Sequence, residues 1–504
     1  MTGADPKLIN DDLAPTPADK RTWTKWHIAA LWVGMSVCIP TYLLAAGLVD
    51  QGFSLKMAVL SVALGNVVVL FPMVLNAHAG TKYGIPFPVL LRSSFGVLGA
   101  NVPAIMRALV ACGWFGINTW IGGKALYILV GVIAPDGSLP QILPAWFGIT
   151  TGQFLCFMAF WAINVVIIAR GIESIRILET WAAPLLLAMG VALFIWAWVN
   201  VGDLGAMLAD PAEPTRGGWS SIDVGLTTAV AFWGTLALNI PDFARFAKSQ
   251  KDQVIGQTLG LPTTMTLFAF VGAAVTNATA IIFTTRISQP EELLARIGSG
   301  PVVAVSMLGL AVATLTTNLA ANVVGPANDF SNVAPSKIDF RKGAFIAAGI
   351  GVVILPWKLM QDAGQYLFTW LLGYGALLGA VGGVMIADYF LIRRCRLNLD
   401  DMYRRNGEYE YTRGVNPIAL VALAIGIAPN IPGFLAALGV ASVGSFFAEV
   451  YDWAWFVAFF AAGLAYYAGT LALKGKHYGS VTEDHGQRDR VREPVSAGVG
   501  PAGN

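Results

Sequence analysis

One stretch of the chain spaces an aromatic ring and an amide so that together they could bind a flat polar ring. It runs from Cys112 to Trp120, and within it Trp114 and Asn118 are four residues apart. Residues four apart share one face of a helix. An indole plane beside a carboxamide suits a planar ligand with a hydrogen-bonding edge. The alternative is a tryptophan packed in the core and an asparagine bonded to a neighbouring helix.

A second polar stretch lies near the end of another apolar segment. Thr316, Thr317, Asn318 and Asn322 fall within seven residues. Hydroxyl oxygens are ligands that a small hard cation accepts, although threonine also bonds back to its own helix. The two asparagines are one turn apart and share a face. We therefore predict a functional surface here, with cation and substrate contacts.

A short pattern occurs twice, 201 positions apart. Trp32 and Trp233 each precede an Ile-Pro dipeptide, at Pro40 and Pro241, by the same spacing. Proline in a helix frees a backbone carbonyl, and in lipid such a carbonyl must face protein, water or an ion. Two helices broken at matching places, one in each half of the chain, are typical of transporters with their site at the breaks. A chance match in a hydrophobic chain is the alternative.

The carbonyls before the two prolines have different predicted uses. Those from Gly34 to Val37 are candidate cation ligands, and those of Ala237 and Leu238 are candidate substrate contacts. A kink satisfied by a neighbouring helix would explain either proline alone.

Composition excludes a soluble enzyme. The 504 residues are 56% hydrophobic and only 12% charged, which is typical of a polytopic membrane protein. A net charge of +2 gives no reason to expect a nucleic-acid partner, and the four dispersed cysteines indicate no disulfide or metal framework. No nucleophile–base pairing or phosphate-binding loop is present in the sequence.

Apolar segments of about 20 residues predict twelve membrane spans. They are 28–50, 54–78, 101–132, 150–170, 178–201, 221–247, 254–284, 300–328, 343–358, 363–392, 415–439 and 452–474. We expect residues 1–27 to be a cytoplasmic segment, 28–392 to be the transporter core and 415–474 to be two added spans. Residues 475–504 are expected to be a disordered cytoplasmic tail.

Basic residues set the predicted orientation. With both termini cytoplasmic, 25 of the 32 Lys and Arg residues fall in cytoplasmic segments and five in outer loops. Span one then starts inside and span six outside, so the repeated pattern has opposite orientations, as in an inverted repeat of spans 1–5 and 6–10.

Charges within the apolar segments are few. Asp242, Asp329 and Asp388 are expected to pair with nearby Arg245, Arg393 and Arg394 at the cytoplasmic ends of spans six, eight and ten. Two basic residues of span three, Arg107 and Lys124, are expected off the midplane with their charged groups reaching toward the interface. No carboxylate is predicted at the centre of the site, which favours a neutral substrate and a cation held by carbonyls and hydroxyls.

These motifs resemble those of the nucleobase–cation symporter-1 family, whose members transport hydantoins, allantoin, uracil, cytosine and related compounds. The resemblance begins at Asn10-Asp-Asp-Leu-Ala-Pro and extends through span ten. It rests on 112–120, on the stretch from Trp233 to Arg245 and on 316–322. It implies an all-α membrane protein with the leucine-transporter-like fold, in which ten helices form the inverted repeat, helices one and six are discontinuous, and two helices follow.

The resemblance also implies roles for particular residues. Trp114 would stack on the substrate ring, Asn118 would face its edge, and Trp233 would form a second aromatic wall, with Phe232 in its place if the register differs by one. Asn318 and Asn322 would be amides near the substrate. Sodium would be bound by the carbonyls of Gly34, Val37 and Ala313 and by the hydroxyls of Thr316 and Thr317. Cys38 stands in the substrate site where relatives often carry Gln or Asn, so the particular substrate stays open.

We therefore predict a symporter in the cell membrane that imports a small, neutral, planar nucleobase or ureide by alternating access. The coupling cation would be sodium, and no prosthetic group is expected. A proton-coupled transporter of the same substrates is the alternative, followed by a passive channel or a substrate-sensing receptor. We expect the lipid bilayer, the substrate and the cation to be the partners of a chain that functions as a monomer. Residues 373–375 of span ten are expected to act as a lid.

Overall fold

The computed structural model describes residues 3–134, 140–170, 172–210, 215–216, 219–361 and 364–477. Within these ranges the regular structure is helical, and no β-strand forms beyond three isolated bridges. The first half contains α1 (Lys25–Ser36), α2 (Ile39–Asp50), α3 (Leu55–Tyr83), α4 (Phe87–Phe95), α5 (Asn101–Ile133), α6 (Thr151–Arg170), α7 (Ile172–Val201) and α8 (Leu204–Leu208).

The second half begins with α9 (Ile222–Phe232), α10 (Gly234–Asn239), α11 (Pro241–Ala244), α12 (Gln250–Phe283), α13 (Pro290–Ile297), α14 (Gly300–Asn322), α15 (Val324–Val333), α16 (Phe340–Val353) and α17 (Pro356–Leu359). It continues with α18 (Leu372–Ile386), α19 (Pro417–Ile427), α20 (Ile431–Ala437), α21 (Ser445–Asp452) and α22 (Ala454–His477). A π-helical turn precedes α18 at Gln365–Leu371 and another follows it at Ala387–Ile392.

Eight helices in the described ranges are long and apolar enough to cross a membrane, and there are nine if α1 and α2 form one bent span. Leu187–Val201 and α9 are shorter apolar helices at the predicted fifth and sixth spans. The predicted ninth span is the 14-residue α16, which ends before Leu355, a residue in left-handed backbone (φ 54°), and Pro356. The count of twelve spans stays a prediction.

The two repeated Ile-Pro motifs fall at helix interruptions. α1 and α2 are bent by 54° at a break formed by Val37 and Cys38. The second motif falls where α10 and α11 meet, and Trp233 separates α9 from α10. These interruptions bring irregular backbone into the apolar interior.

The helices pack as two groups around the interrupted segments. α12 packs on α1, α2 and α3, and α3 also packs on α9. α5 packs on α6, α14 and α16, and α14 also packs on α7. The first group holds the predicted spans one, two, six and seven, and the second holds spans three, four, eight and nine. The predicted fifth span, α7, packs on both groups, through α12 and α14.

Two features were not predicted. The loop between spans two and three contains α4, whose nine residues are all buried. The polar N-terminal segment packs on the protein, since Leu8 and Leu13 are buried, the Asn10 amide donates to Ser331 Oγ at 2.7 Å, and Tyr403 Oη donates to the Leu13 carbonyl at 2.7 Å.

Candidate functional site

A cavity of about 30 Å³ lies where the α1–α2 break meets α5, α9–α10 and α14. It is lined by Met35, Cys38, Pro40, Trp114, Asn118, Phe232, Trp233, Thr235, Leu236, Thr317, Ala321 and Asn322. Five of the six predicted substrate residues are among them, and Asn318 is the exception. Residues far apart in sequence are therefore brought together at one buried place.

Trp114 is the centre of an aromatic cluster. Its ring packs edge-on against Phe232 (centroids 5.2 Å apart), Tyr366 (6.1 Å), Trp370 (6.2 Å) and Tyr374 (6.4 Å). The Trp114 indole N–H donates to Tyr374 Oη at 3.2 Å. Three of these rings come from the segment 365–374, so span ten covers Trp114. Only Tyr374 lies within 373–375, and the lid stays a prediction.

Asn118 presents an oxygen with no protein partner. Its Nδ2 donates to the Trp114 carbonyl at 3.1 Å, which fixes the amide because a carbonyl only accepts. Its Oδ1 is buried and accepts no hydrogen bond from the described residues. A buried acceptor without a partner costs free energy, so a ligand N–H directed at this oxygen would be stabilised.

Asn318 lies behind Asn322 and not at the cavity surface. The Asn322 Nδ2 donates to Asn318 Oδ1 at 3.0 Å. The Asn318 Nδ2 faces Thr119 Oγ1 at 3.2 Å and Asn164 Oδ1 at 3.2 Å. Asn318 therefore holds Asn322 in place.

Trp233 and Phe232 both line the cavity, but only Phe232 packs directly on Trp114. The Trp233 ring meets Trp32 edge-on, with centroids 5.1 Å apart, and its indole N–H donates to Asn66 Oδ1 at 2.9 Å. The residue given as the fallback is thus the immediate neighbour of Trp114.

Cys38 lines the cavity at the α1–α2 break. Its extended backbone (φ −146°) begins α2, and its sulfur lies 3.3 Å from Thr41 Oγ1. A thiol is a weak hydrogen-bonding group, so this position contributes shape more than polarity.

The candidate cation ligands lie on both sides of the same break. The Cys38 N–H, which would bond to the Gly34 carbonyl in a continuous helix, bonds to the Ser36 carbonyl at 3.1 Å. The Thr41 N–H bonds to the Cys38 carbonyl at 3.1 Å in place of the Val37 carbonyl. The break therefore takes away the usual helical donors of Gly34 and Val37.

On α14 the predicted ligands have unequal surroundings. The Thr316 hydroxyl donates to the Ala313 carbonyl at 2.8 Å, a bond within its own helix. Thr317 lines the cavity. The described residues contain no cluster of three or more His, Cys, Asp or Glu side chains that could hold a metal, so a cation here would need carbonyl and hydroxyl ligands.

The buried charges pair differently from the prediction. Arg107 is not extended toward the protein surface: it is fully buried and donates to Asp329 Oδ2 at 3.2 Å. Gly325 makes room for it, because a Cβ there would lie 2.0 Å from the Arg107 Nη1. Sequence proximity missed this pair because the partners are 222 positions apart.

Three other charged side chains, those of Asp388, Asp242 and Lys124, also have polar or charged partners. Asp388 binds Arg393 at 2.9 Å, as predicted. Asp242 accepts from the Phe87 N–H at 2.9 Å and from Asn239 Nδ2 at 3.1 Å, which ties α11 to α4. Lys124 pairs with the buried Glu291 of α13.

Several functional candidates had no recognisable motif. The cavity residues outside the prediction are Thr235, Leu236 and Ala321, and the unpredicted rings over Trp114 are Tyr366 and Trp370. Asn164 offered one signal, because it is the one amide between Gln153 and Arg170 in an otherwise apolar segment.

Fold and site together define a helical membrane transporter. A family model described as a permease for cytosine/purines, uracil, thiamine and allantoin matches residues 15–458. The chain belongs to this family.

Among curated relatives, a purine-uracil permease of Arabidopsis thaliana is 46% identical, over 92% of this chain and 78% of that protein. An allantoin permease of Bacillus subtilis is 38% identical, over 91% of this chain and 92% of that protein. A hydantoin permease of Microbacterium maritypicum is 30% identical, over 86% of this chain and 87% of that protein. These relatives are permeases and not enzymes.

Solved structures agree on the fold. A nucleobase-cation-symport-1 family transporter in a closed conformation with bromovinylhydantoin bound superposes with a TM-score of 0.75 at 25% identity, over 93% of this chain and 97% of that one. A Na+-coupled sialic acid symporter shares the fold alone, with a TM-score of 0.60 at 12% identity, over 91% of this chain and 92% of that one.

Proposed function

We propose that this permease is a symporter that imports a neutral planar nucleobase or ureide together with sodium. The observation that carries the proposal is the cavity itself, at which the α1–α2 break, Trp114 of α5 and Asn322 of α14 meet. An aromatic face and buried amide oxygens suit a flat ring with polar edges. The relatives are named as permeases of purines and uracil, of allantoin and of hydantoin, and these compounds share the chemistry of a ring with polar edges.

In the proposed mechanism, the substrate ring lies against Trp114 between the walls formed by Phe232 and Trp233. Asn118 and Asn322 receive its edge, and Asn318 supports Asn322 from behind. Cys38 closes the site at the break. Opening of the segment that carries Tyr366, Trp370 and Tyr374 would admit substrate from one side, because these rings cover Trp114.

Sodium would lie between the break and α14, bound by the carbonyls of Gly34, Val37 and Ala313 and the hydroxyls of Thr316 and Thr317. The loss of helical donors at Gly34 and Val37 supports this assignment. A cation that binds both groups of helices favours the conformation in which its ligands converge, and this differential affinity links it to substrate uptake.

We further propose twelve spans with an inverted repeat of spans 1–5 and 6–10, discontinuous first and sixth spans, and both termini cytoplasmic in the cell membrane. The division into 1–27, the core 28–392, 415–474 and the tail 475–504 is part of this proposal, as is function as a monomer. The 25-to-5 distribution of basic residues and the interruptions at both Ile-Pro motifs support it.

The test is uptake into proteoliposomes of radiolabelled uracil, allantoin, hydantoin, cytosine and a purine, with and without a sodium gradient. We expect saturable, concentrative uptake of at least one compound, stimulated by sodium. Stimulation by a proton gradient alone would reject sodium and leave the proton as the coupling ion. Uptake that neither saturates nor concentrates would mark a channel, and binding without uptake would mark a receptor.

A further inference from the structure

Four amides at and behind the cavity have fixed orientations, and three of them, Asn164, Asn318 and Asn322, are joined in a hydrogen-bonded chain. The amides are Asn164 of α6, Asn318 and Asn322 of α14, and Asn118 of α5. An amide can often be turned by 180° without changing its shape, so its orientation must come from the groups it contacts. Here backbone carbonyls, which only accept, decide it.

The chain begins at Asn164, which is fully buried. Its Nδ2 donates to the Phe160 carbonyl at 2.9 Å, so its Oδ1 must point the other way. That oxygen lies 3.2 Å from the Asn318 Nδ2. Asn164 therefore presents an acceptor to Asn318.

Two further acceptors face the same Asn318 nitrogen. The Phe115 carbonyl lies 3.3 Å from it, and Thr119 Oγ1 lies 3.2 Å from it. The Thr119 hydroxyl gives its own proton to the Phe115 carbonyl at 2.7 Å, so toward Asn318 it can only accept. With three acceptors around Nδ2, the Asn318 Oδ1 is turned toward Asn322.

The orientation of Asn318 in turn fixes that of Asn322, which lines the cavity. Asn322 donates its Nδ2 to the Asn318 Oδ1 at 3.0 Å, and this leaves the Asn322 Oδ1 as the atom available to a ligand. Asn118 is fixed independently through the Trp114 carbonyl and also leaves an oxygen, which is buried and without a partner among the described residues.

The nearby indole donors are already in use. The Trp114 N–H donates to Tyr374, and the Trp233 N–H donates to Asn66. The amide acceptors that the cavity presents are therefore two oxygens, those of Asn118 and Asn322, and a ligand that satisfies both must bring two N–H donors.

We propose that Asn164 is a positioning residue that sets this polarity through Asn318 and Asn322, so that the site selects rings carrying two N–H donors, the cyclic ureide and imide class. This inference rests on the proposed function, since it names the substrate class of the same site. It adds to that function a residue that touches neither substrate nor cation.

The first experiment needs no variant. Binding of uracil and hydantoin to the full-length protein is compared with binding of their N-methyl derivatives and of the carbon-methylated isomers 5-methyluracil and 5-methylhydantoin. We expect each N-methylation to weaken binding by about tenfold relative to the carbon-methylated isomer, because a buried acceptor loses its donor. N-methyl compounds that bind as well as the carbon-methylated isomers would overturn the proposal and leave the proposed function intact. Failure of every parent compound to bind would overturn both.

The second experiment tests the positioning role. Asn164→Ala should raise the KM for the parent ring with little change in kcat, and it should reduce the ratio between parent and N-methyl affinities by about threefold or more. Any steric effect of the methyl group is present in both proteins, so a change in the ratio reports the amide orientation. Thr119→Val removes another acceptor around Asn318 and should also reduce the ratio of parent to N-methyl affinity.

Asn277→Ala is the matched control. Asn277 is also a buried amide bonded to backbone carbonyls, those of Met207 and Ala209, but it does not line the cavity. This variant should lose stability and keep the wild-type ratio. An unchanged ratio in folded Asn164→Ala and Thr119→Val, or an equal change in Asn277→Ala, would show that Asn164 acts only in structure.

Discussion

The two helix breaks contain the same Ile-Pro motif, but the hydrogen bond that each proline removes is replaced in a different way. Each proline lacks an N–H and so leaves the carbonyl four residues before it without a donor. Before Pro241 that carbonyl belongs to Ala237, and Asn76 of α3 supplies the missing donor at 2.7 Å. Before Pro40 it belongs to Ser36, and the chain's own Cys38 N–H fills the vacancy at 3.1 Å.

The consequence is a difference in what each break leaves for a ligand. At Pro241 a side chain from another helix supplies the missing donor, and neither Ala237 nor Leu238, the predicted substrate contacts, lines the cavity. At Pro40 the backbone satisfies itself by unwinding, which bends the helix by 54° and removes the helical donors of Gly34 and Val37. A proline break therefore leaves backbone carbonyls without helical donors, as the proposed cation site requires, only where no neighbouring side chain supplies the missing hydrogen bond.

The largest expected effect is at the ring that both breaks enclose. Trp114→Ala should lower uptake by at least about 100-fold, because the face for the substrate is lost together with the buried area of the ring. Transport into proteoliposomes is the measurement. Trp120→Ala is the control, since Trp120 lies on the same helix but packs on Trp357 away from the cavity. Near-normal uptake by Trp114→Ala would show that substrate does not bind between the breaks.

A smaller effect is expected at the ion that we assign to the first break. Thr317→Ala should raise the sodium concentration for half-maximal uptake by about tenfold, because one oxygen ligand is lost. Thr314→Ala is the matched control, a buried threonine on the same helix that does not line the cavity. An unchanged sodium dependence in Thr317→Ala would remove this hydroxyl from the site.

The smallest effect on transport is expected at the repaired break. Asn76→Ala leaves the Ala237 carbonyl without its donor and should lower the free energy of unfolding by about 1–3 kcal/mol, with uptake per folded molecule changed only a few-fold. Thermal unfolding in detergent measures the loss. Asn200→Ala is the comparison, because that exposed asparagine bonds only within its own helix. Equal stabilities of the two variants would mean that Asn76 does not repair the break.

Much of this arrangement was predictable because it follows from local rules. Hydrophobic length located the helices, and proline chemistry located both breaks. The four-residue spacing placed Trp114 and Asn118 on one face, and the spacing of Asn318 and Asn322 predicted that they meet.

The rest depends on contacts between distant segments, which no local spacing contains. Asn76 and Ala237 are 161 positions apart, and Arg107 and Asp329 are 222 positions apart. Whether Phe232 or Trp233 packs on Trp114 depends on the rotation of α9 and α10 about their axes, which a single residue of irregular backbone changes. The sequence also could not predict that Tyr366, Trp370 and Tyr374 of span ten cover Trp114, because an aromatic residue in an apolar helix faces lipid as readily as a cavity.

The edge-on contact of Trp32 with Trp233 joins the two copies of the repeated motif directly. Trp32 lies in the predicted first span and Trp233 in the predicted sixth, and both spans belong to the first group of helices. In the proposed alternating motion we therefore expect the two interrupted spans to move as one body, because a buried aromatic contact ties them together.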